Sequence, residues 1–402
     1  MNPTQEQNTT MGIHIDVLDG IRALTIAIIV WFHFWQQCWL MPIVQTPALS
    51  FLGIHEINID WIPRSGGELV TMMLFISAFC LALPYANQKV NGTPVTSWTT
   101  FYKKRIARIL PSYLFCILII TVYNILRNEY QSPDYALSGN PGFFLKDLLS
   151  HLTFTHILFP EVHSFTLLNG VLWTVSVEVQ FYIIFPLISK CFFRKPLLTY
   201  CSMNLIAYIY VQYAIHHQDN IFFLLHQLPS YFGVFANGFL GALIFVGLPQ
   251  KLSENKSIRL LSTIISIGCL FAYKYFMLDL IKADEFSHTW QLQHRFPTSL
   301  LYLVFVITTA LSLRGYRSIF SNAVMRFFAG ISYNLYIWHQ WLCVAFKKNH
   351  IPFYEGTTPP NELNDRPWMW KFFILSVVAS ILLAIATTYL IEKPCAKLLK
   401  RH

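Results

Sequence analysis

Four segments of this chain carry titratable side chains in surroundings too apolar to solvate them. The first, DGIRALTIAIIVWFH, holds Arg22 and His33. At about 100° per residue their spacing falls within roughly 20° of three full helical turns, so both face one side, about 16 Å apart along the axis. A neutral imidazole there can take a proton from a hydroxyl, and a guanidinium can grip phosphate oxygens. The competing reading is a snorkelling arginine and a hydrogen-bonded core histidine. KKRIARILP places Arg105 and Arg108 on one face of a helix end, as an anion clamp or as a plain positive anchor. LWTVSVEVQFYIIFP sets Glu178 among Trp173, Ser176, Gln180 and Tyr182, where a carboxylate needs an arginine, a histidine or a proton. ISYNLYIWHQWL brings Ser332, Tyr336 and His339 to one face with Tyr333 beside them, a polar site or an interfacial aromatic belt. His226 reads as a satisfied core histidine.

The elements that must hold these groups are membrane-spanning helices. The chain has 402 residues, 54% of them hydrophobic and 12% charged, whereas a soluble domain is about 25% charged. Its mean hydropathy is +0.45. Disorder, collagen, a disulfide scaffold and a transmembrane barrel are excluded by the same composition. Apolar runs long enough to span a bilayer predict ten helices near 18–41, 67–85, 104–126, 167–190, 197–215, 221–248, 258–278, 297–313, 319–346 and 369–391. The expected fold is an all-α polytopic bundle forming one integral-membrane domain over 1–402, with a short cytoplasmic tail at 1–17. The first 17 residues hold no Lys or Arg, so no signal-peptide n-region precedes the first apolar run. No repeat or low-complexity tract is evident. The eight cysteines are scattered without a CxxC pair and read as small buried hydrophobes. No metal-binding, P-loop, GxGxxG or Ser-His-Asp pattern occurs at useful spacing.

Lys and Arg gather in alternate connections, around 103–108, 190–195, 251–259 and 314–326, and in the tail after 391. By the positive-inside rule both termini face the cytoplasm. The net charge of +9 is thereby a topology signal, and nucleic-acid binding is not needed to explain it. The three Asn-X-Ser/Thr sequons, at Asn8, Asn91 and Asn255, fall on the cytoplasmic side. The longest connection, 127–166, lies outside, and its apolar stretch 144–159 is suited to the outer interface.

The quoted segments together resemble the integral-membrane acyltransferase family 3. The Arg-to-His spacing in the first span, the basic opening of the third, the VSVEVQFY stretch, SYNLYIWH and the closing IEKP (Ile391 to Pro394) occur in the family's order from end to end. Val179 stands where many relatives have a second acid. Some relatives carry an added hydrolase-like domain, for which the residues after the last span are too few. The resemblance implies transfer of an acyl group, acetyl first, from cytoplasmic acyl-CoA to a hydroxyl of a cell-surface carbohydrate or glycolipid. It implies a multi-pass protein of the cell membrane, here a bacterial inner membrane, with membrane lipid around it and no permanently bound cofactor or metal.

On that reading Arg22, Arg105 and Arg108 hold the CoA phosphates, and His33 is the general base. Glu178 orients the imidazole as a triad carboxylate does. Trp173, Ser176, Ser332, Tyr333, Tyr336 and His339 position the acceptor or donate to the oxyanion. Two rivals remain at this stage. A proton-coupled transporter also uses intramembrane His, Glu and Arg, and a structural membrane protein uses buried polar groups merely to pair helices.

Overall fold

The computed structural model describes residues 15–53, 55–131 and 140–401; most of the tail read at 1–17 lies outside them. The described chain is almost wholly helical. The long elements are α1 (Asp16–Cys38), α2 (Gly66–Asn91) and α3 (Trp98–Leu126), then the shorter α4 (Pro141–Leu152). They continue with α5 (Trp173–Arg194), α6 (Pro196–Ile215), α7 (Phe232–Gly247), α8 (Lys256–Ala283), α9 (Ser287–Leu311), α10 (Ala323–Lys348) and α11 (Arg366–Thr387). A two-stranded antiparallel hairpin, Ile43–Gln45 with Glu56–Asn58, joins α1 to α2 and pairs Val44 with Ile57.

Seven stretches are long and apolar enough to cross a membrane, against ten spans read from the sequence. The stretch 256–311 enters as one, although it folds as α8 and α9. α6 and α10 are not among the seven. Tyr200, Tyr208, Tyr210, Tyr213, Asn204 and Gln212 dilute α6. In α10 the polar residues that dilute it, among them Ser332, Asn334 and His339, are buried in the bundle. Such a helix fits a membrane only where its polar side faces protein.

The span expected at 221–248 is broken. A short helix, Ile221–Leu225, and a 3₁₀ turn, Leu228–Tyr231, precede α7. Pro229 has no N–H to continue the ladder, and side chains take over the freed carbonyls. Ser230 Oγ and Arg295 Nη1 each donate to the Leu225 carbonyl at 3.1 Å, and Gln227 Nε2 donates to that of Phe223 at 3.1 Å. Irregular backbone at membrane depth survives only with such partners.

α10 packs along α1 and α11, and α7 along α2. Glycine lets backbones approach where the short helix Arg314–Phe320 meets α1 and where α7 crosses α2. A Cβ on Gly20 would lie 1.9 Å from the Phe320 carbonyl oxygen, and one on Gly238 would lie 2.6 Å from Ala78 Cβ. The stretch after α3 forms α4, capped by Asn140 Oδ1 on the Phe143 N–H at 3.2 Å. α4 turns Leu145, Leu149 and Leu152 outward and buries Asp147, Ser150 and His151. That two-sidedness agrees with an interfacial element.

Gly20→Ala and Gly238→Leu should each destabilise by about 1–3 kcal/mol through overpacking. Gly330→Ala, where nothing lies within 4 Å of the new methyl, should be neutral or slightly stabilising. Melting temperatures of the three variants in detergent check this; equal values would refute the packing.

Candidate active site

A cavity of about 200 Å³ opens between α1, α2, α3, α5 and α10. Arg22, Arg105, Arg108, Glu178, Ser332, Tyr333 and Tyr336 all line it. Five helices separated by hundreds of residues thus bring seven of the expected site residues to one place. Arg22 reaches Cys80 Sγ at 3.7 Å from Nη2 and lies 3.7 Å from Asp19 one turn earlier. The Arg105 guanidinium lies 5.7 Å from the Tyr182 ring centre and 5.8 Å from that of Phe101, in cation–π range. Its Nε is buried with no hydrogen-bond partner. Three guanidinium groups around one opening favour an anion.

Glu178 does not orient His33, as the sequence reading expects. Its Oε1 accepts from Ser77 Oγ at 2.5 Å and from the Tyr182 hydroxyl one turn along α5. The carboxylate belongs to the arginine-lined cavity, and His33 is not among the residues that line it.

His33 lies instead against α10. Its ring centre is 5.0 Å from that of His339. Its Nδ1 lies 3.0 Å from Gln36 Oε1 and 3.3 Å from Gln340 Nε2. Gln340 also lines a second cavity of about 220 Å³, together with Tyr123, Asn124, Asn169, Gly170 and Trp341. His339 is fully buried; its Nδ1 lies 2.6 Å from the Tyr336 carbonyl, and its Nε2 has no hydrogen-bond partner. Tyr336 closes the arginine-lined cavity: its hydroxyl donates to the Val171 carbonyl at 3.1 Å and lies 2.8 Å from Thr174 Oγ1. The side chains therefore form a sequence: first cavity, Tyr336, His339, His33, Gln340, second cavity.

The remaining hydroxyls are engaged with backbone. Tyr333 donates to the Ile109 carbonyl at 3.1 Å, binding α10 to α3, and Ser332 to Ala329 at 2.8 Å. The IEKP segment is tied in through Glu392, whose Oε2 accepts from Asn334 Nδ2 at 2.6 Å.

Trp173 and Ser176 lie outside this arrangement. Trp173 packs over His226 at 4.0 Å between ring centres, and Ser176 Oγ lies 3.2 Å from His156 Nδ1. Ser176 sits two residues before Glu178 on a helix, so it turns away from the face that Glu178 presents. His156 stacks on His151 at 3.8 Å, and His151 Nδ1 lies 2.9 Å from Asp147 Oδ1. Asp147 also accepts from the Leu167 N–H at 3.0 Å, so the cluster fastens the 127–166 connection onto α5. His163 Nε2 lies 3.0 Å from His226 Nδ1; His226 is buried and partnered, as a core histidine should be.

Sequence reasoning missed Ser77, Cys80, Thr174, Gln36 and Gln340, neutral groups that carry no desolvation alarm. It also missed Glu68 and Arg295, which do. Glu68 is 1% exposed with neither carboxylate oxygen hydrogen-bonded, and Arg295 is 3% exposed, donating to Ser230 Oγ at 2.7 Å and Tyr231 at 3.0 Å. Among the described residues no group of His, Cys, Asp and Glu is placed to hold a metal ion.

A family model described as an acyltransferase domain matches residues 15–389. A relative named "Putative O-acetyltransferase" in Staphylococcus aureus strain COL is 24% identical over 402 residues, covering 96% of this chain and 58% of the relative. The O-acetyltransferase OatA of S. aureus strain NCTC 8325 is 21% identical, covering 94% of this chain and 57% of the relative. The chain thus spans under three fifths of the length of these relatives. No solved structure matches it.

In the connection outside the spans, burial and the neighbouring His151 and His163 drive His156 well below the ordinary histidine range, and burial holds His163 at about 4. Both rings are neutral in the folded protein, while the unfolded chain binds protons below about pH 6.5. Their stabilising share is therefore complete above about 6.5 and is lost as pH falls from there towards 4. Melting temperature should drop between about pH 7 and about pH 5, and His156→Gln and His163→Gln should flatten that drop. An unchanged slope in both variants would contradict the assignment.

Proposed function

The chain belongs to the acyltransferase family whose model covers it almost from end to end, and from that premise we propose that it is a membrane O-acyltransferase. On this reading it moves an acyl group, acetyl first, from acyl-CoA on the cytoplasmic side to a hydroxyl of a carbohydrate or glycolipid at the outer surface. Its place is the cell membrane, among lipids, with no cofactor held between turnovers. The relatives named O-acetyltransferases support the choice of acetyl and of a hydroxyl acceptor.

The observation that carries the reading is the order of groups between the two cavities. Arg22, Arg105 and Arg108 line the first and suit the phosphates of a CoA at its mouth, with the thioester arm directed towards Tyr336. A CoA held there has its acyl carbon next to the Tyr336–His339 step. The acceptor enters from the second cavity, whose amides and Trp341 suit a polyhydroxylated ring. Its hydroxyl meets His33 beside Gln340. The imidazole takes the hydroxyl proton as oxygen attacks the thioester carbonyl, the C–O bond forms, and the C–S bond breaks to leave CoA thiolate. Tyr336 is the nearest hydroxyl to the developing oxyanion, and it serves by exchanging the Val171 carbonyl for that oxygen. Glu178, held by Ser77 and Tyr182, balances the arginines and keeps their forks pointed at the opening.

Membrane vesicles given radiolabelled acetyl-CoA on the cytoplasmic face test this. The wild type should release CoA and label carbohydrate. His33→Ala should lower both by about 10²–10⁴, the usual worth of a general base. Arg105→Ala and Arg108→Ala should raise KM for acetyl-CoA with a smaller effect on kcat, as loss of ground-state binding does. Label transfer undiminished in His33→Ala would refute the reading, and solute uptake without loss of thioester would point to a transporter.

A further inference from the structure

His339 has a feature the acyl-transfer reading does not use. Its Nδ1 lies 2.6 Å from the Tyr336 carbonyl, and a carbonyl only accepts, so Nδ1 carries the hydrogen. The lone pair then sits on Nε2, which is fully buried and without a partner. A buried, unsatisfied acceptor is costly to keep, and such a group asks for an explanation. The carbonyl does for His339 what a carboxylate or carbonyl does for many catalytic histidines: it fixes the tautomer and aims the other nitrogen. Three residues earlier, Tyr336 closes the arginine-lined cavity. On its other side the His33 ring centre is 5.0 Å away. His33 is differently placed, with Nδ1 between two side-chain amides and the second cavity next to it.

We propose that His339 is a second catalytic histidine, the acid that protonates the departing thiolate. This rests on the acyl-transfer reading above. The reaction must carry one proton from the acceptor hydroxyl to the CoA sulfur, and the two atoms arrive from opposite sides of the histidine pair. His33 takes the proton as the hydroxyl oxygen bonds to the acyl carbon. His33 passes it to the lone pair on His339 Nε2, directly or through one water. As the C–S bond breaks, His339 delivers that proton to sulfur, CoA leaves as the thiol, and both imidazoles are neutral again. No proton or electron is gained or lost overall. Gln36 Oε1 accepts from His33 Nδ1, which leaves the lone pair on Nε2, so Gln36 acts as a positioning residue for the first transfer.

The test varies the need for an acid at the leaving group. Acetyl-CoA leaves as an alkyl thiolate that benefits from protonation. The S-acetyl ester of thionitrobenzoate leaves as a stable aryl thiolate that does not. In vesicles, His339→Gln should lower kcat with acetyl-CoA by about 10²–10⁴ and with the aryl thioester by less than tenfold. His33→Gln should lower both. Added imidazole should restore part of the acetyl-CoA rate in His339→Gly. Equal losses on the two donors, or no loss on either, would overturn the assignment while leaving acyl transfer intact. A wild type that transfers from neither donor would instead overturn the acyl-transfer reading, and this proposal with it. If His339 variants do not fold, a series of thioesters on the wild type decides. Rates nearly independent of thiol acidity mark an assisted leaving group, and a steep dependence overturns the proposal.

Discussion

A polar atom inside a bilayer must find its partner within the protein, and that constraint organises this bundle. The five sequence motifs fall on separate helices, and each is fastened to another by a polar contact. Glu178 on α5 takes a hydrogen bond from Ser77 on α2. Tyr336 on α10 holds Val171 at the start of α5, and Tyr333 holds α3. Asn334 joins α10 to Glu392 after α11. Apolar packing gives no comparable selection, because lipid tails are as good a neighbour for leucine as another helix is. The groups that make the site chemically interesting also determine which helices meet.

The same constraint explains what could be read from sequence. Arg22 is conspicuous by its helical register with His33, Arg105 and Arg108 by their shared face at a helix end, and Glu178 because a carboxylate is expensive in hydrocarbon; all four line one cavity. His33 and His339 were visible for the same reason, and the structure places them side by side. Which charged group faces which was not legible. Sequence pairs Glu178 with His33 because both titrate, yet its partners are neutral hydroxyls. Proximity in sequence to Glu178 suggests Ser176 and Trp173, although successive helical residues point about 100° apart. The break at 226–231 shows a different limit. Pro229 signals a break, and Ser230 and Gln227 repair it locally, but Arg295, which also supports it, comes from 65 residues away.

Glu68 and Arg295 show that cost alone does not mark the reaction site. Arg295 supports a broken helix and stands 3.8 Å over the Tyr231 ring. Its removal would expose freed carbonyls as well as a charge, so it reads as structural. Glu68 sits in the first turn of α2, well before Ser77 on the same helix. Burial singles out Glu68, Arg295 and His339 alike; what distinguishes the histidine, with its half-buried neighbour His33, is its place between the cavities. The histidines lie between two openings, while neither Glu68 nor Arg295 lines the arginine cavity or the one beside Gln340.

On the proposed reading, the side chains between the two cavities suit the chemistry of a thioester. An open aqueous channel would admit water as a competing nucleophile and would weaken every electrostatic contact at the reacting atoms. The layer of Thr174, Tyr336, His339 and His33 is joined by contacts from side chain to side chain. Its hydroxyls are closed on each other and on the Val171 carbonyl. Transfer then requires that this closure exchange one partner for the substrate's oxygen. On the proposed reading, a donor bound at the arginines supplies that oxygen from one side, and a hydroxyl presented beside Gln340 meets it from the other. Two imidazoles suit such a layer better than one, because a single ring would have to serve both sides of a barrier that must stay shut.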